Sequence, residues 1–404
     1  MTSEKINFSN SKGEKLSAEI AFPVNQKPHN FAIFAHCFTC NKNFKAVRYI
    51  TQALTAEGFG VMSFDFTGLG MSEGEFADTT FSGSVDDLIC AANYLQENYQ
   101  SPAMFIGHSL GGAAALLAAS EFEAVKAVVT IGTPSAPQHV KNLLQGGVEE
   151  IREKGSAEVD IGGRNFTVKQ QFIDDLEAQN LLDAVKRMRK SFLFLHSPQD
   201  KIVGIENAAE LYAAAFNPKS FISLDGADHL LSNEEDACYA GDVIANWAKR
   251  YVEIPEPKEF KAKSHIVAYL GKDDKFTTQI KSNNHRLVAD EPKTFGGNDY
   301  GPSPYELVSS GLAACTAMTL RMYAERKKWD LQEVFVHVRY DKVHAEDCQT
   351  CKSPDSKLDQ FTREIEMKGE LDEEQKQRLL EIADKCPVHR TLEAKSHIET
   401  KLLK

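Results

Sequence analysis

The 404-residue chain has no apolar stretch approaching the roughly 18 to 20 residues that a membrane-spanning helix needs. It also lacks any dense run of lysine and arginine, and a formal net charge of -12 with a pI near 5.5 repels nucleic acid and anionic membrane surfaces alike. Residues 1–15 are polar and charged, without the apolar core of an export signal, so a cytoplasmic location is expected. Internal repeats and low-complexity tracts are missing too. The eight cysteines, in a long chain without an export signal, read as reduced thiols rather than a disulfide framework, and a functional one is expected to act through its reactivity. What is present, 42% hydrophobic and 26% charged, is ordinary soluble sequence long enough for two domains.

Between residues 16 and 251, short β-branched or aromatic runs alternate with longer helical patterns, the signature of a parallel sheet covered by helices. Strands are expected at 31–35, 60–65, 103–107, 125–131, 192–196 and 220–224, and helices at 44–57, 82–99, 110–122, 206–216 and 237–251. Residues 134–190 are long for one connection and read as a helical cap inserted over the site. Pro255 and Pro257, among charges, end the preceding helix and mark a linker, dividing the chain into domains 1–255 and 256–404. Beyond it, strands at 265–270, 276–282, 334–340 and 361–368 surround helices at 304–328 and 373–386. That grouping is α+β with a long buried helix.

A serine hydroxyl is a weak nucleophile until an imidazole takes its proton and a carboxylate fixes that imidazole's tautomer. The segment Gly107-His108-Ser109-Leu110-Gly111 follows a predicted strand and opens a predicted helix. Glycine two positions either side of Ser109 meets the steric demand of a strained strand-to-helix turn. Asp200, in Ser197-Pro198-Gln199-Asp200, and His229, in Gly226-Ala227-Asp228-His229, each follow a predicted strand and complete the order serine, acid, histidine. Asp228 is the rival acid, disfavoured because adjacent side chains rarely point together. Asp65 ends another strand, in a glycine-rich turn that reads as architectural.

Two further segments carry a family likeness. Asp65-Phe66-Thr67-Gly68-Leu69-Gly70-Met71-Ser72 is like a D-x-x-G-x-G-x-S turn, and His36-Cys37-Phe38 falls where His-Gly-X is common. With them, residues 5–252 resemble the α/β-hydrolases of serine-esterase type. The resemblance implies an α/β fold, a mostly parallel sheet with helices on both faces, and an acyl-enzyme mechanism. Ser109 would be the nucleophile, Asp200 the acid and His229 the base, with the backbone N–H groups of Phe38 and Leu110 as oxyanion hole. Cys37 stands where glycine is common. The expected substrates are small to medium carboxylic esters, with peptides or thioesters as alternatives that the same triad would serve.

In the second domain, Gly301-Pro302-Ser303-Pro304-Tyr305-Glu306 leads into a small-residue helical stretch carrying Cys315, and Lys385-Cys386-Pro387-Val388-His389-Arg390 places another thiol at a helix end. Residues 258–404 thereby resemble the OsmC/Ohr family of osmotically inducible and organic hydroperoxide resistance proteins. The resemblance implies a homodimer formed through this domain. It also implies Cys315 as peroxidatic and Cys386 as resolving cysteine, acting on an organic hydroperoxide with a dithiol reductant. Such a thiol needs a nearby cation. Arg286 and Arg390 are the candidates, either one oriented by Glu306, while active peroxide reductases of the family commonly carry the glutamate at the position of Tyr305. The plainer alternative makes Cys315 a small core residue and the domain a dimerising module without peroxidase activity.

The remaining cysteines point to no cofactor. Cys37/Cys40 and Cys348/Cys351 both have C-x-x-C spacing but lie in different domains, so a shared tetrahedral metal site is not expected. Cys348 and Cys351, with His344 and Asp347 close by, read as an exposed loop. Cys37 and Cys40 flank the expected oxyanion donor, so their oxidation would distort that loop and lower hydrolase activity. Cys90 and Cys238 fall on helical patterns as core or half-buried thiols.

Overall fold

The computed structural model describes residues 2–24, 26–37, 40–136, 147–160, 165–255, 265–344 and 357–403. The chain divides into Met1–Glu259 and Phe260–Lys404. Strands of the first unit are β1 (Thr2–Ser9), β2 (Lys15–Phe22), β3 (Asn30–Ala35), β4 (Phe59–Phe64), β5 (Pro102–His108), β6 (Ala127–Ile131), β7 (Ser156–Asp160), β8 (Asn165–Lys169), β9 (Ser191–His196) and β10 (Lys219–Ser223). Its helices are α1 (Lys45–Ala56), α2 (Phe81–Asn98), α3 (Leu110–Ala118), α4 (Gly147–Lys154), α5 (Gln170–Ala178), α6 (Leu181–Arg187), α7 (Glu206–Ala214) and α8 (Glu234–Ala248).

Eight of these strands form one sheet in the order β1-β2-β4-β3-β5-β6-β9-β10, antiparallel at the β1 and β2 edge and parallel from β4 to β10. Every residue of β3, β4, β5, β6 and β9 is buried, which their near-continuous apolar runs require of a sheet covered on both faces. Helix α1 packs on α8 and α2 on α3. The edge strand β1 escapes the sequence pattern because it buries little beyond Phe8 and carries charges on its open side.

Between β6 and β9 lie α4, the antiparallel hairpin β7–β8, α5 and α6. The segment read as a helical cap therefore contains a hairpin as well. Ala157, Val159 and Val168 turn inward with the alternation of a strand, a pattern too short to separate from helix by periodicity. Two contacts tie this insertion to the first turn of α2 and the segment before it. The Phe166 ring meets Phe76 at 4.8 Å, and Asp175 accepts both the N–H and the hydroxyl of Ser82 at 2.7 Å.

In the second unit, β11 (Ile266–Tyr269), β12 (Thr278–Ser282) and β13 (His285–Ala289) form an antiparallel sheet, and β14 (Glu333–His344) pairs antiparallel with β15 (Lys357–Lys368). Helices α9 (Pro304–Lys327), α10 (Glu373–Ala383) and α11 (Pro387–Glu393) complete it, with α9 packed on β14, α10 and α11. A capping box starts α9: Glu306 N–H donates to Ser303 Oγ, Glu306 Oε2 accepts Ser303 N–H, and Pro304 needs no donor partner there. The helix expected to be buried is buried along one stripe only, at Ser309, Leu312, Thr316, Leu320 and Ala324. Met318 and Met322 remain 66% and 70% exposed. Helix α11 was not anticipated, because Pro387 reads equally as the end of one helix and the first residue of the next.

Candidate active sites

Ser109 joins β5 to α3 with φ 55° and ψ -126°, a conformation unusual for a residue with a Cβ. Its flanking glycines are steric requirements. A Cβ on Gly107 would strike the backbone of Gly111 and Gly112, and one on Gly111 the carbonyl oxygens of His36 and Ala35. The turn is held by Ser109 N–H donating to Ile131 O at 2.8 Å, across to the end of β6.

Asp200 and His229, expected as acid and base, meet. Nδ1 of His229 lies 2.7 Å from Oδ2 of Asp200, whose Oδ1 accepts the N–H groups of Ile202 and Val203 at 2.8 and 2.9 Å. Burial alone would raise the Asp200 carboxyl, but the bond from His229 and these two N–H donors outweigh it and hold it below the usual carboxylate range. Asp228, the rival acid, instead accepts Ser232 N–H at 2.8 Å. Gly132, next to the Ile131 carbonyl that receives Ser109 N–H, faces the same pair: a Cβ there would stand 3.2 Å from His229 Nδ1 and 3.3 Å from Asp200 Oδ2. The serine turn, acid and histidine thus surround the ends of β5, β6 and β9.

Three buried histidines that the sequence reading did not single out hold this arrangement. His36 Nδ1 donates to Cys37 O at 2.7 Å, His108 Nε2 to His229 O at 2.7 Å, and His196 Nε2 to Val203 O at 2.8 Å. Each stands at the carboxyl end of a strand or just past it, and each holds a carbonyl of one loop of the site. Burial keeps all three below the ordinary histidine range; His108, also facing His229, is pushed down to about 3. They are therefore neutral at pH 7. The signal was available: all three directly end or follow predicted strands.

Leu110 opens α3, where a first-turn N–H has no partner within the helix, as an oxyanion donor requires. Phe38, the other expected donor, lies outside the described residues. Cys37 and Cys40 are joined by a disulfide, which corrects the reading of all eight cysteines as free thiols. Cys40 N–H also donates to Cys37 O, and this proximity overrides an expectation drawn from compartment alone. Past the turn, Lys42 Nζ meets Asp65 Oδ2 at 2.5 Å, with side chains 5% and 1% exposed. Asp65, read as architectural, anchors this loop and also accepts the N–H groups of Lys42 and Met71.

In the second unit Cys315 and Cys386 lie close enough for each to perturb the other's titration. Burial would raise Cys386, but hydrogen bonds from Cys315, the N–H groups of His389 and Val388, and the Thr316 hydroxyl reverse this and hold it below the ordinary thiol range. Cys315 is raised by burial and by its bond to Cys386. Of the arginines proposed from sequence, Arg286 and Arg390 are exposed, and Glu306 is engaged in the capping box. Tyr305 stacks on Tyr340 at 4.5 Å. Arg363, on β15, is bonded to Thr316 Oγ1, Ala383 O and Asp384 Oδ1 at 2.9, 3.1 and 2.7 Å, residues one to three positions from the two cysteines. Its sequence signal was a charge in step with Phe361, Ile365 and Met367 on one strand face. Cys348 and Cys351 lie outside the described residues. Among the described residues no cluster of three or more His, Cys, Asp or Glu could hold a metal ion, and no helix is long and apolar enough to cross a membrane.

A family model described as serine aminopeptidase, S33, matches residues 27–154, and one described as OsmC-like protein matches residues 296–401. The crystal structure of the esterase domain from a Rhodothermus marinus protein is 51% identical, covering 63% of this chain and 100% of that one, with a TM-score of 0.54. The chain is an α/β-hydrolase of esterase type fused to an OsmC-like domain. The chain is also 25% identical over 214 residues to monoglyceride lipase from Rattus norvegicus, covering 46% of this chain and 71% of the lipase. Est1E from Butyrivibrio proteoclasticus, solved with ferulic acid bound, shares the fold at 20% identity and a TM-score of 0.51, over 61% of this chain and 99% of that one.

Proposed function

We propose that the hydrolase domain cleaves small to medium carboxylic esters through an acyl-enzyme. Ser109 attacks the ester carbonyl while His229 takes its proton, and Asp200 holds the imidazole in the tautomer that can do so. His229 then returns the proton to the leaving alcohol, and water repeats the sequence to release the acid. Backbone N–H groups at Leu110 and Phe38 would receive the oxyanion. The observation that carries this reading is the 2.7 Å contact of His229 Nδ1 with Asp200 beside the strained Ser109 turn. A small cavity lined by both apolar and polar side chains, Phe66, Leu69 and Phe76 with Thr67 and Thr79, lies beside Leu110 and Gly111. Ser109→Ala should abolish both turnover of short p-nitrophenyl esters and labelling by a fluorophosphonate probe; undiminished labelling would overturn the assignment. The S33 family likeness favours peptides as a second substrate class, and aminoacyl p-nitroanilides turned over faster than esters would establish it.

For the OsmC-like domain we propose hydroperoxide reduction by the thiol pair. Cys386, as thiolate, accepts the proton of Cys315, the less buried of the two. Cys315 attacks the peroxide oxygen, breaking the O–O bond to give a sulfenic acid, and the alkoxide leaving group takes a proton from solvent to leave as the alcohol. Condensation with Cys386 releases water and forms a disulfide, which a dithiol reduces. The partial exposure of Cys315, against the buried Cys386 that perturbs it, supports this order. Exposed Met318 and Met322 on α9 support a homodimer formed through this domain. Hydroperoxide consumption with a dithiol should disappear in Cys315→Ser; equal rates would favour a structural role for the domain.

A further inference from the structure

Asp200 holds the His229 imidazole at one atom, Nδ1, and a ring held at one atom can still pivot about that bond. A proton passes from Ser109 only if the opposite nitrogen is placed to within about 0.5 Å. The main chain and the ring face of His229 therefore need a second hold. His108 stands where that hold can be made. It is the last residue of β5, directly before Ser109, and its main chain is paired with Ile131 of β6. Its Nε2 donates to the His229 carbonyl oxygen at 2.7 Å, across 121 positions of sequence. Its ring lies 5.0 Å from the His229 ring at a tilt of 42°, and 6.5 Å from that of Phe44, stacked at 16°. His108 is 3% exposed, so packing leaves this side chain little freedom.

We propose that His108 is the positioning residue that sets the nucleophile turn in register with the base, joined to Ser109 through the chain and to His229 through its side chain. A carbonyl oxygen only accepts, so Nε2 of His108 carries the proton and Nδ1 does not. Asp200 fixes which way the His229 ring faces. His108 fixes where the main chain that carries the ring stands, and lies beside the ring itself. The two holds act on different atoms of His229, so neither replaces the other. Neutrality belongs to the role as well. His229 becomes an imidazolium as it takes the Ser109 proton, and a second cation 5.0 Å away in a buried site would oppose that step. Burial, then the facing His229, push His108 down to about 3 against the pull of the His229 carbonyl and Asp200, with His36 adding to the depression. The ring is therefore uncharged at neutral pH.

This inference rests on the triad reading, so one of its readouts is independent of turnover. In the full chain, His108→Leu keeps the apolar packing and removes the donor, whereas His108→Gln keeps an N–H at similar reach. On p-nitrophenyl esters, kcat should fall about 10²-fold in His108→Leu with KM little changed, and recover about tenfold of that in His108→Gln. His108→Asn, one bond shorter than glutamine, loses the reach and takes the place of His108→Leu should that chain not fold. In a His229→Ala chain, His108→Leu should lower the residual turnover less than about twofold, because a residue acting through the imidazole has nothing left to act on. His29 is the control: its Nε2 meets Glu57 O at 2.8 Å just before β3, at the strand end opposite His36, so His29→Leu should lose stability and keep kcat. The downfield NMR proton resonance of the His229 Nδ1–H bond to Asp200 should broaden in His108→Leu and persist in His108→Gln. A folded His108→Leu chain with wild-type kcat and an unchanged resonance would overturn the inference. So would a loss as large in the His229→Ala chain as in the wild type. A wild-type chain without Ser109-dependent turnover, in which His108→Leu still broadens the resonance, would remove the esterase reading and support this one.

Discussion

Asp200 grips its neighbours at both oxygens: Oδ2 lies 2.7 Å from Nδ1 of His229, while Oδ1 receives two backbone N–H groups of the following turn. A carboxylate fixed in this way orients the imidazole rather than following it. Asp200→Asn preserves the shape but offers Nδ1 an amide that can donate as well as accept, so the ring loses its preferred tautomer. Turnover of p-nitrophenyl esters should fall about 10⁴-fold with KM little changed. Steady-state kinetics on the purified chain checks this, and a loss below tenfold would remove Asp200 from the role.

How much of this site the sequence revealed depends on how locally each requirement is written. Ser109 was legible because the turn's steric demand falls on Gly107 and Gly111, two positions away. Asp200 and His229 were legible because strand order restricts where an acid and a base can stand. Arg363 was not, since its meaning depends on Thr316 and Ala383, which come from two other elements. The Cys37–Cys40 bond was missed for a related reason: the sequence shows spacing, whereas a bond depends on how close the fold brings the two sulfurs. Strand β13 and helix α11 carry little periodicity of their own and are fixed by what they pack against.

His108 makes the hydrolase domain acid-sensitive. Its folded value, pushed down from 6.5 to about 3 by burial and His229, lies below its value in the unfolded chain. Between those limits the unfolded state binds the extra proton, so this contribution is complete above pH 6.5 and is lost as pH falls toward 3. His36 and His196 shift in the same direction. The urea concentration that removes half of the ester turnover should therefore decline through this range, and less steeply in His108→Asn. An identical acid slope in the variant would show that His108 contributes nothing to it.

Gly111→Ala should separate folding from chemistry at the serine turn. The added methyl would meet the carbonyl oxygens of Ala35 and His36, backbone atoms of a buried strand end that cannot swing aside. Relief requires β3 and the elbow to move apart, which displaces the loop after His36 from Ser109. We expect soluble chain with normal hydroperoxide consumption but greatly reduced kcat on esters. Ester turnover equal to wild type would mean that the elbow can relax without cost.

Lys42 and Asp65 form an ion pair well protected from water at the hydrolase site, so their coupling should be large. Removing one partner leaves a buried charge unpaired, which costs about 3–5 kcal/mol in comparable settings. Lys42→Met strands the Asp65 carboxylate, although the N–H groups of Lys42 and Met71 still reach it. Asp65→Leu strands the ammonium, which keeps only Ser17 Oγ at 3.0 Å. The double variant buries neither charge and should recover much of the loss, because well-packed apolar replacements of buried pairs are often near neutral. A double-mutant cycle read from urea unfolding of the hydrolase domain measures this. Ester turnover supplies the second readout: if the pair fixes the loop that precedes Lys42, the double variant regains stability without regaining kcat, whereas recovery of both would assign the pair to stability alone.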